Sequence, residues 1–199
     1  MRAFALLSTL MLVLVCPVAA HAQQEAGTQT TGSTTDAQTA GGTEYGTDPA
    51  APPRAFVAGT EAKLMDDGFA AAPADAPVEV QEAVFAANEI VGKPYVYGGG
   101  HRSFKSSGYD CSGTVSYALH GGGLLRSPLD SSSFRRWGER GRGAWITVYT
   151  NPGHAFAVIA GLRLDTSAAG ERVSSGKGPR WRGVLRRTRG YRARHPLGF

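Results

Sequence analysis

His154-Ala155-Phe156-Ala157-Val158-Ile159-Ala160-Gly161-Leu162-Arg163-Leu164-Asp165 is the stretch from which the fold is read. Residues 155–159 are an apolar run of strand length, Leu162-Arg163-Leu164 alternates as a strand does, and Ala160-Gly161 between them reads as a tight two-residue turn. Two antiparallel neighbours follow, and Trp145-Ile146-Thr147-Val148-Tyr149 just before them adds a third strand. Upstream the period changes. Val80, Val84, Ala87, Ile90 and Val91 recur at helical spacing until Gly92 and Pro94 stop the helix. Residues 112–120 read as a second helix ended by Gly121-Gly122-Gly123, and Ser131 to Trp137 as a third, shorter one. Helices first and antiparallel strands afterwards predict one α+β domain, with N-terminal helices packed on an antiparallel sheet.

Outward from that core the chain loses its pattern. Residues 56–77 form a partly ordered lead-in: Phe56, Val57, Leu64, Met65 and Phe69 allow short extended pieces, but Pro73 and Pro77 interrupt any long element. Residues 23–55 are Thr, Gly, Ala, Gln, Ser and Pro with almost no large apolar side chain, so they read as a disordered linker. Residues 1–22 have a positive start, an apolar run over 3–18 and the small-residue pair of Ala20-His21-Ala22. That is the plan of a cleaved signal peptide, and the run is short for a membrane span of ~20 residues. The expected location is therefore secreted or periplasmic, with no stable membrane span after cleavage.

Cleavage changes the cysteine arithmetic. Cys16 leaves with the signal, so Cys111 is the mature chain's one thiol and no internal disulfide can form. A single thiol in an oxidising compartment is either a buried, inert side chain or a reactive one. The environment of Cys111 favours reactivity. Asp110-Cys111-Ser112-Gly113 lies where a loop ends and a helix begins. In a helix's first turn, unpaired N–H groups and the positive end of the dipole stabilise a thiolate, and the same N–H groups can hold an oxyanion. A base is also required. His120 faces away by helical phase, His101 lies in a Gly-rich loop and His195 in a basic tail, whereas His154 opens the strand that the helices pack on. Asp165, across the hairpin, is placed to accept from its imidazole as the third member of a triad.

Gly92-Lys93-Pro94-Tyr95-Val96-Tyr97-Gly98-Gly99, then Asp110-Cys111-Ser112-Gly113, then Gly153-His154 leading an apolar strand, resembles in order the NlpC family of cell-wall cysteine peptidases. The resemblance covers residues 78–166 and implies a papain-like α+β domain, here spanning 78–199 with an Arg-rich C-terminal tail. It implies hydrolysis of peptidoglycan stem peptides, usually between D-glutamate and a diamino acid, at the cell wall and without cofactor or metal. By position Cys111 matches the nucleophile and His154 the base. Tyr95 matches a tyrosine that assists substrate or oxyanion binding, and Asp110 and Ser112 match residues that in some members hold the stem peptide's free amino end. Two departures stand out. The strand 145–149 lacks the acid that members carry before the histidine, and the third polar residue, commonly His, is here Asp165 or its neighbour Thr166.

Charge is asymmetric: nine acids face two bases over residues 23–80, against seven acids and eighteen bases from 81 onward. After Glu171 no acid follows, while Arg172, Lys177, Arg180, Arg182, Arg186, Arg187, Arg189, Arg192 and Arg194 do. For an exported chain this points to an anionic wall polymer or the membrane surface, bound through the tail, rather than to nucleic acid. On that reading, truncation after Glu171 weakens wall association and spares cleavage of soluble fragments. The acidic 23–80 segment is expected to lie over the basic domain, with residues 56–80 docking across its cleft. Competing functions are a wall amidase or acyltransferase using the same dyad, a non-catalytic wall-binding module, and a polyanion binder.

Overall fold

The computed structural model describes residues 52, 54–171, 176–183 and 185–199. The expected signal peptide and all of the linker except residues 52, 54 and 55 lie outside the described residues. Everything described belongs to a single compact unit, Tyr45–Phe199.

The lead-in folds into strands β1 (Phe56–Val57), β2 (Lys63–Leu64) and β3 (Ala70–Pro73), with β3 central, parallel to β1 and antiparallel to β2. Helix α1 (Val78–Ile90) follows, burying Val80, Ala83, Val84, Ala87 and Ile90 on the spacing expected of an amphipathic helix. Its end is enforced at Gly92, whose φ of 87° no β-carbon-bearing residue adopts without strain. Helix α2 (Cys111–Gly121) packs on α1, and α3 (Ser131–Phe134) is a single turn.

The main sheet contains β4 (Glu139–Arg140), β5 (Ile146–Asn151), β6 (His154–Ile159), β7 (Leu162–Asp165), β8 (Arg180–Arg182) and β9 (Arg192–His195). Its order is β4-β9-β5-β6-β7-β8, with every pairing antiparallel. The β6–β7 turn has Ala160 at φ 45° and Gly161 at φ 82°, the doubly positive turn that suits strand twist. The stretch expected to be a basic tail therefore supplies two strands, one of them inserted between β4 and β5.

One face of the sheet carries Ile146, Val148, Ala155, Ala157, Ile159, Leu162, Leu164 and Trp181, packed with Val84, Val115 and Leu119 of the helices. Each large aliphatic side chain buried there contributes about 1.5–3 kcal/mol. The buried Asn88 amide joins three elements: it donates to Ala70 O at 2.9 Å, accepts from Ala70 N at 3.0 Å and accepts from the Trp181 indole at 2.7 Å. It thereby fixes β3 and β8 to α1. The opposite face mixes aromatic and polar side chains, with Tyr149 stacked on Phe156 and buried arginines beside them. Arg163 and Arg182 stand across from one another on β7 and β8. A buried guanidinium is costly unless most of its N–H groups are met. Arg182 donates to Asp165 O (3.0 Å), Glu171 Oε1 (2.7 Å) and Gly176 O (3.0 Å), and Arg163 donates to Ala169 O at 2.9 Å.

Candidate active site

Asp110 caps α2 by accepting from Gly113 N at 2.8 Å, which places Cys111 in the helix's first turn. The loop 98–100 lies directly on that turn: a β-carbon at Gly113 would sit 2.0 Å from Gly99 O, so only glycine fits. Cys111 is buried to 7% exposure, and its Sγ lies 3.6 Å from Ser131 Oγ. Ser131 is itself held in place, because the Thr150 hydroxyl donates to its carbonyl at 2.5 Å.

His154 opens β6 after the two-residue turn 152–153, where Asn151 Oδ1 accepts from both Gly153 N and His154 N. The register pairs Ala157 with Leu164, so by continuation Phe156 stands opposite Asp165 and His154 is its diagonal neighbour on the same face. His154 Nε2 donates to Asp165 Oδ1 at 2.9 Å. That leaves Nδ1 as the ring nitrogen not engaged by Asp165, and this histidine lowers the Cys111 thiol. Of the two candidates for the third position, Asp165 is the one that meets the imidazole. Its Oδ1 also accepts from Ser167 N at 2.9 Å, and its Oδ2 accepts from Arg186 Nη1 at 3.0 Å.

The electrostatics agree with this geometry. Burial pushes the Cys111 thiol up, but hydrogen bonds from His154, Ser131 and the Ala155 backbone, with the His154 charge, bring it below its ordinary value. Burial pulls His154 down, yet the Asp165 carboxylate and the Cys111 thiolate push it up to about 9. Burial raises Asp165, and His154, Ser167 N–H and Arg186 outweigh it, so the carboxyl lies below the usual range. Each shift favours the charged form of its group: thiolate, imidazolium and carboxylate.

Cys111 opens on a cleft of about 330 Å³, lined among others by Tyr95, Tyr97, His101, Ser112, Ser131 and Gly153. Tyr95 is held at the rim by its bridge to Tyr109. Its phenol is raised first by burial and then by the Cys111 and Asp110 charges, so it stays a proton donor. Asp110 and Ser112 meet His101: Nε2 lies 3.0 Å from the Asp110 carboxylate and 3.0 Å from Ser112 Oγ, while Gly98 N donates to Asp110 Oδ2 at 3.1 Å. Among the described residues, no group of three or more His, Cys, Asp or Glu is arranged to hold a metal ion, and no helix is long and apolar enough to cross a membrane.

Two expectations are corrected. Residues 56–77 do not cross the cleft, since none of them lines it. Instead Phe56 packs edge-on against Phe85 with centroids 5.2 Å apart, and Ala62 N donates to Ala160 O at 2.8 Å. The residues after Glu171 are not dispensable to the site either. Arg186 reaches Asp165 and lies over the Phe156 and Tyr191 rings, 5.2 and 5.4 Å from their centroids. Tyr191 meets the His154 ring edge-to-face at 6.4 Å. Ser131, His101, Arg186 and Tyr191 were not singled out from sequence. For Ser131 there was a signal, because Asp130-Ser131 reads as a second helix start, and a helix start near a thiol supplies hydroxyl and N–H donors.

No protein-family model matches the chain, and no curated protein matches it. Solved structures align with TM-scores below 0.5. RipB (Rv1478) of Mycobacterium tuberculosis, a peptidoglycan hydrolase, is 23% identical with a TM-score of 0.46, covering 61% of this chain and 66% of that one. Rv1477 of Mycobacterium tuberculosis, described as a hypothetical invasion protein, is 23% identical with a TM-score of 0.43, covering 59% and 62%. A mutated form of the Resuscitation Promoting Factor Interacting protein RipA is 22% identical with a TM-score of 0.43, covering 59% and 62%. The alignments thus span somewhat less than two thirds of those chains.

Proposed function

We propose that this chain is a peptidoglycan peptide hydrolase of the NlpC type, exported to the cell wall, where it cuts stem peptides by a thiol mechanism, at the bond between D-glutamate and the diamino acid. The observation that carries the reading is the line Cys111–His154–Asp165. A thiol lowered below its ordinary pKa stands at a helix N-terminus, beside an imidazole raised to about 9, at the floor of an open cleft.

The chemistry follows from the positions. The thiolate attacks the amide carbonyl, forming an S–C bond while the carbonyl electrons move onto oxygen. In this reading the N–H groups of the first turn of α2 and the hydroxyl of Tyr95, which lines the same cleft, receive that oxyanion. The His154 Nδ1–H gives its proton to the amine nitrogen as the C–N bond breaks, leaving a thioester. Water then attacks with neutral His154 as base, which releases the carboxylate and restores the ion pair. Asp165 keeps Nε2 protonated throughout, so that Nδ1 is the exchanging nitrogen. The test is a digest of purified muropeptides with the wild type and Cys111→Ala, read by mass spectrometry. Paired fragments gaining one water, formed by the wild type alone, are expected. Equal digestion by both proteins removes the proposal.

A further inference from the structure

The arginines of the C-terminal stretch have two destinations. Arg182 and Arg186 turn inward to Asp165 and Glu171. Arg192 and Arg194 lie two residues apart on β9, and Arg140 on β4 stands directly across from Arg194. With Gly141 and Ala193 these three arginines line a groove of about 390 Å³ that shares no residue with the Cys111 cleft. Like charges facing each other across a ladder destabilise it, and no acidic side chain lines the groove. The acid nearest by register, Glu139, stands opposite His195 and pairs with it at 3.3 Å. Arg194 is buried and donates to Arg135 O, so it forms the floor, while Arg140 and Arg192 are exposed at the rim. Burial first, and then the charges of Arg140 and Arg192, hold the Arg194 guanidinium below its ordinary value. The cluster is therefore electrostatically incomplete in the free protein.

We propose that this groove binds an extended polymer that displays oxyanions, phosphate or carboxylate, at regular intervals. Guanidinium forks match both groups. Positions two apart on a strand are separated by ~6.5 Å, a distance that suits successive charges on one polymer better than a single ion. A lipid surface fits poorly, because the site is concave and its lining offers no large apolar side chain to insert. The inference stands independently of the thiol chemistry.

The experiment uses the full chain on immobilised long-chain polyphosphate and on poly-glutamate, across a salt series. It compares the wild type, R140Q/R192Q and, as a charge-matched control, K105Q/R126Q, whose residues are exposed and do not line the groove. Arg194 is left intact because its side chain is part of the fold. R140Q/R192Q is expected to bind about tenfold more weakly at low salt, and its salt slope to fall by about two, one for each lost cation. The control should stay within about twofold of the wild type, and circular dichroism should show all three folded. The tighter of the two polymers identifies the oxyanion. Equal losses in both double variants overturn the proposal, since net charge alone then explains binding. Inorganic phosphate competing as well as polyphosphate at matched phosphate overturns it in favour of a single-ion site. Preference for vesicles of phosphatidylglycerol and phosphatidylcholine over both polymers overturns it in favour of a membrane surface.

Discussion

Replacing Arg186 by Gln separates two effects that a guanidinium can have beside the carboxylate that meets His154. The Arg186 bond to Asp165 Oδ2 is 3.0 Å long and mostly shielded, and a hydrogen bond between charged groups contributes about 1.5–3 kcal/mol. Part of that loss is recovered, because Arg163 Nε lies 3.7 Å from the same oxygen with no hydrogen-bond partner of its own. If roughly 1 kcal/mol of the remainder reaches the His154–Asp165 contact, the His154 proton equilibrium shifts about fivefold. The sign is what decides. Losing a positive charge, by itself, raises the pKa of every nearby group: Asp165, His154 and Cys111 together. Losing the orientation of Asp165 raises Cys111 but lowers His154 from its value of about 9, so the pH range of the ion pair narrows from both ends. NMR titration of the His154 ring gives the upper limit, and iodoacetamide alkylation of Cys111 against pH gives the lower; neither needs a substrate. The expected result is convergence of the two limits, with Arg186→Lys between wild type and Gln. Both limits moving upward in parallel would refute the positioning argument and leave only a charge effect.

Truncation after Glu171 removes β8 and β9, and with them Trp181, the Asn88 contact and the strand between β4 and β5. The shortened chain is expected to lose its cooperative unfolding transition in circular dichroism, and cleavage with it. Ser131→Ala removes a hydroxyl 3.6 Å from the sulfur, which should move the acid limb of Cys111 alkylation to higher pH with little change in thermal stability. The pH dependence of stability has a worked sign. His154, raised to about 9, contributes stability that is present below ~6.5 and lost as pH rises through 9. Cys111, lowered, contributes stability present above its unfolded value and lost as pH falls through its folded one. An ionised thiolate–imidazolium pair binds the same number of protons as a neutral thiol and imidazole, so between the folded Cys111 value and about pH 8.5 the wild type should change little in stability. Cys111→Ala should instead lose stability as pH rises over that window, measured by urea unfolding. In both proteins Asp165, lowered, should cause stability to fall below about pH 4.

What could be read from the chain depended on where the information lay. The hairpin 154–165 and helices α1 and α2 follow local rules of apolar period, turn and cap, and each formed close to its expected bounds. Cys111, His154 and Asp165 each carry a local signal, a helix start, a strand start and a hairpin register, but that the thiol and the imidazole belong together came from the order of motifs in the resemblance, because it depends on how α2 packs on β6. β8 and β9 could not. Arg180-Trp181-Arg182 and Arg192-Ala193-Arg194-His195 alternate correctly for strands, but a run of arginine reads as surface unless its counter-charges are known. Those counter-charges, Glu171 and Asp165, become neighbours only after the sheet forms. In the lead-in, short strands form at Phe56–Val57 and Lys63–Leu64, where apolar residues allow them; β3 was not legible, because Ala70-Ala71-Ala72-Pro73 has weak strand propensity and its place is set by the distant amide of Asn88.

The position of β9 makes the surroundings of the thiol depend on a segment distant from it along the chain. Residues 192–195 sit between β4 and β5, and Arg186 and Tyr191 just ahead of them touch the histidine–aspartate pair. A single proteolytic nick between β8 and β9 would therefore leave Cys111 and His154 intact and still loosen the sheet seam and the support of that pair. Damage far from the sulfur would then be felt at the sulfur.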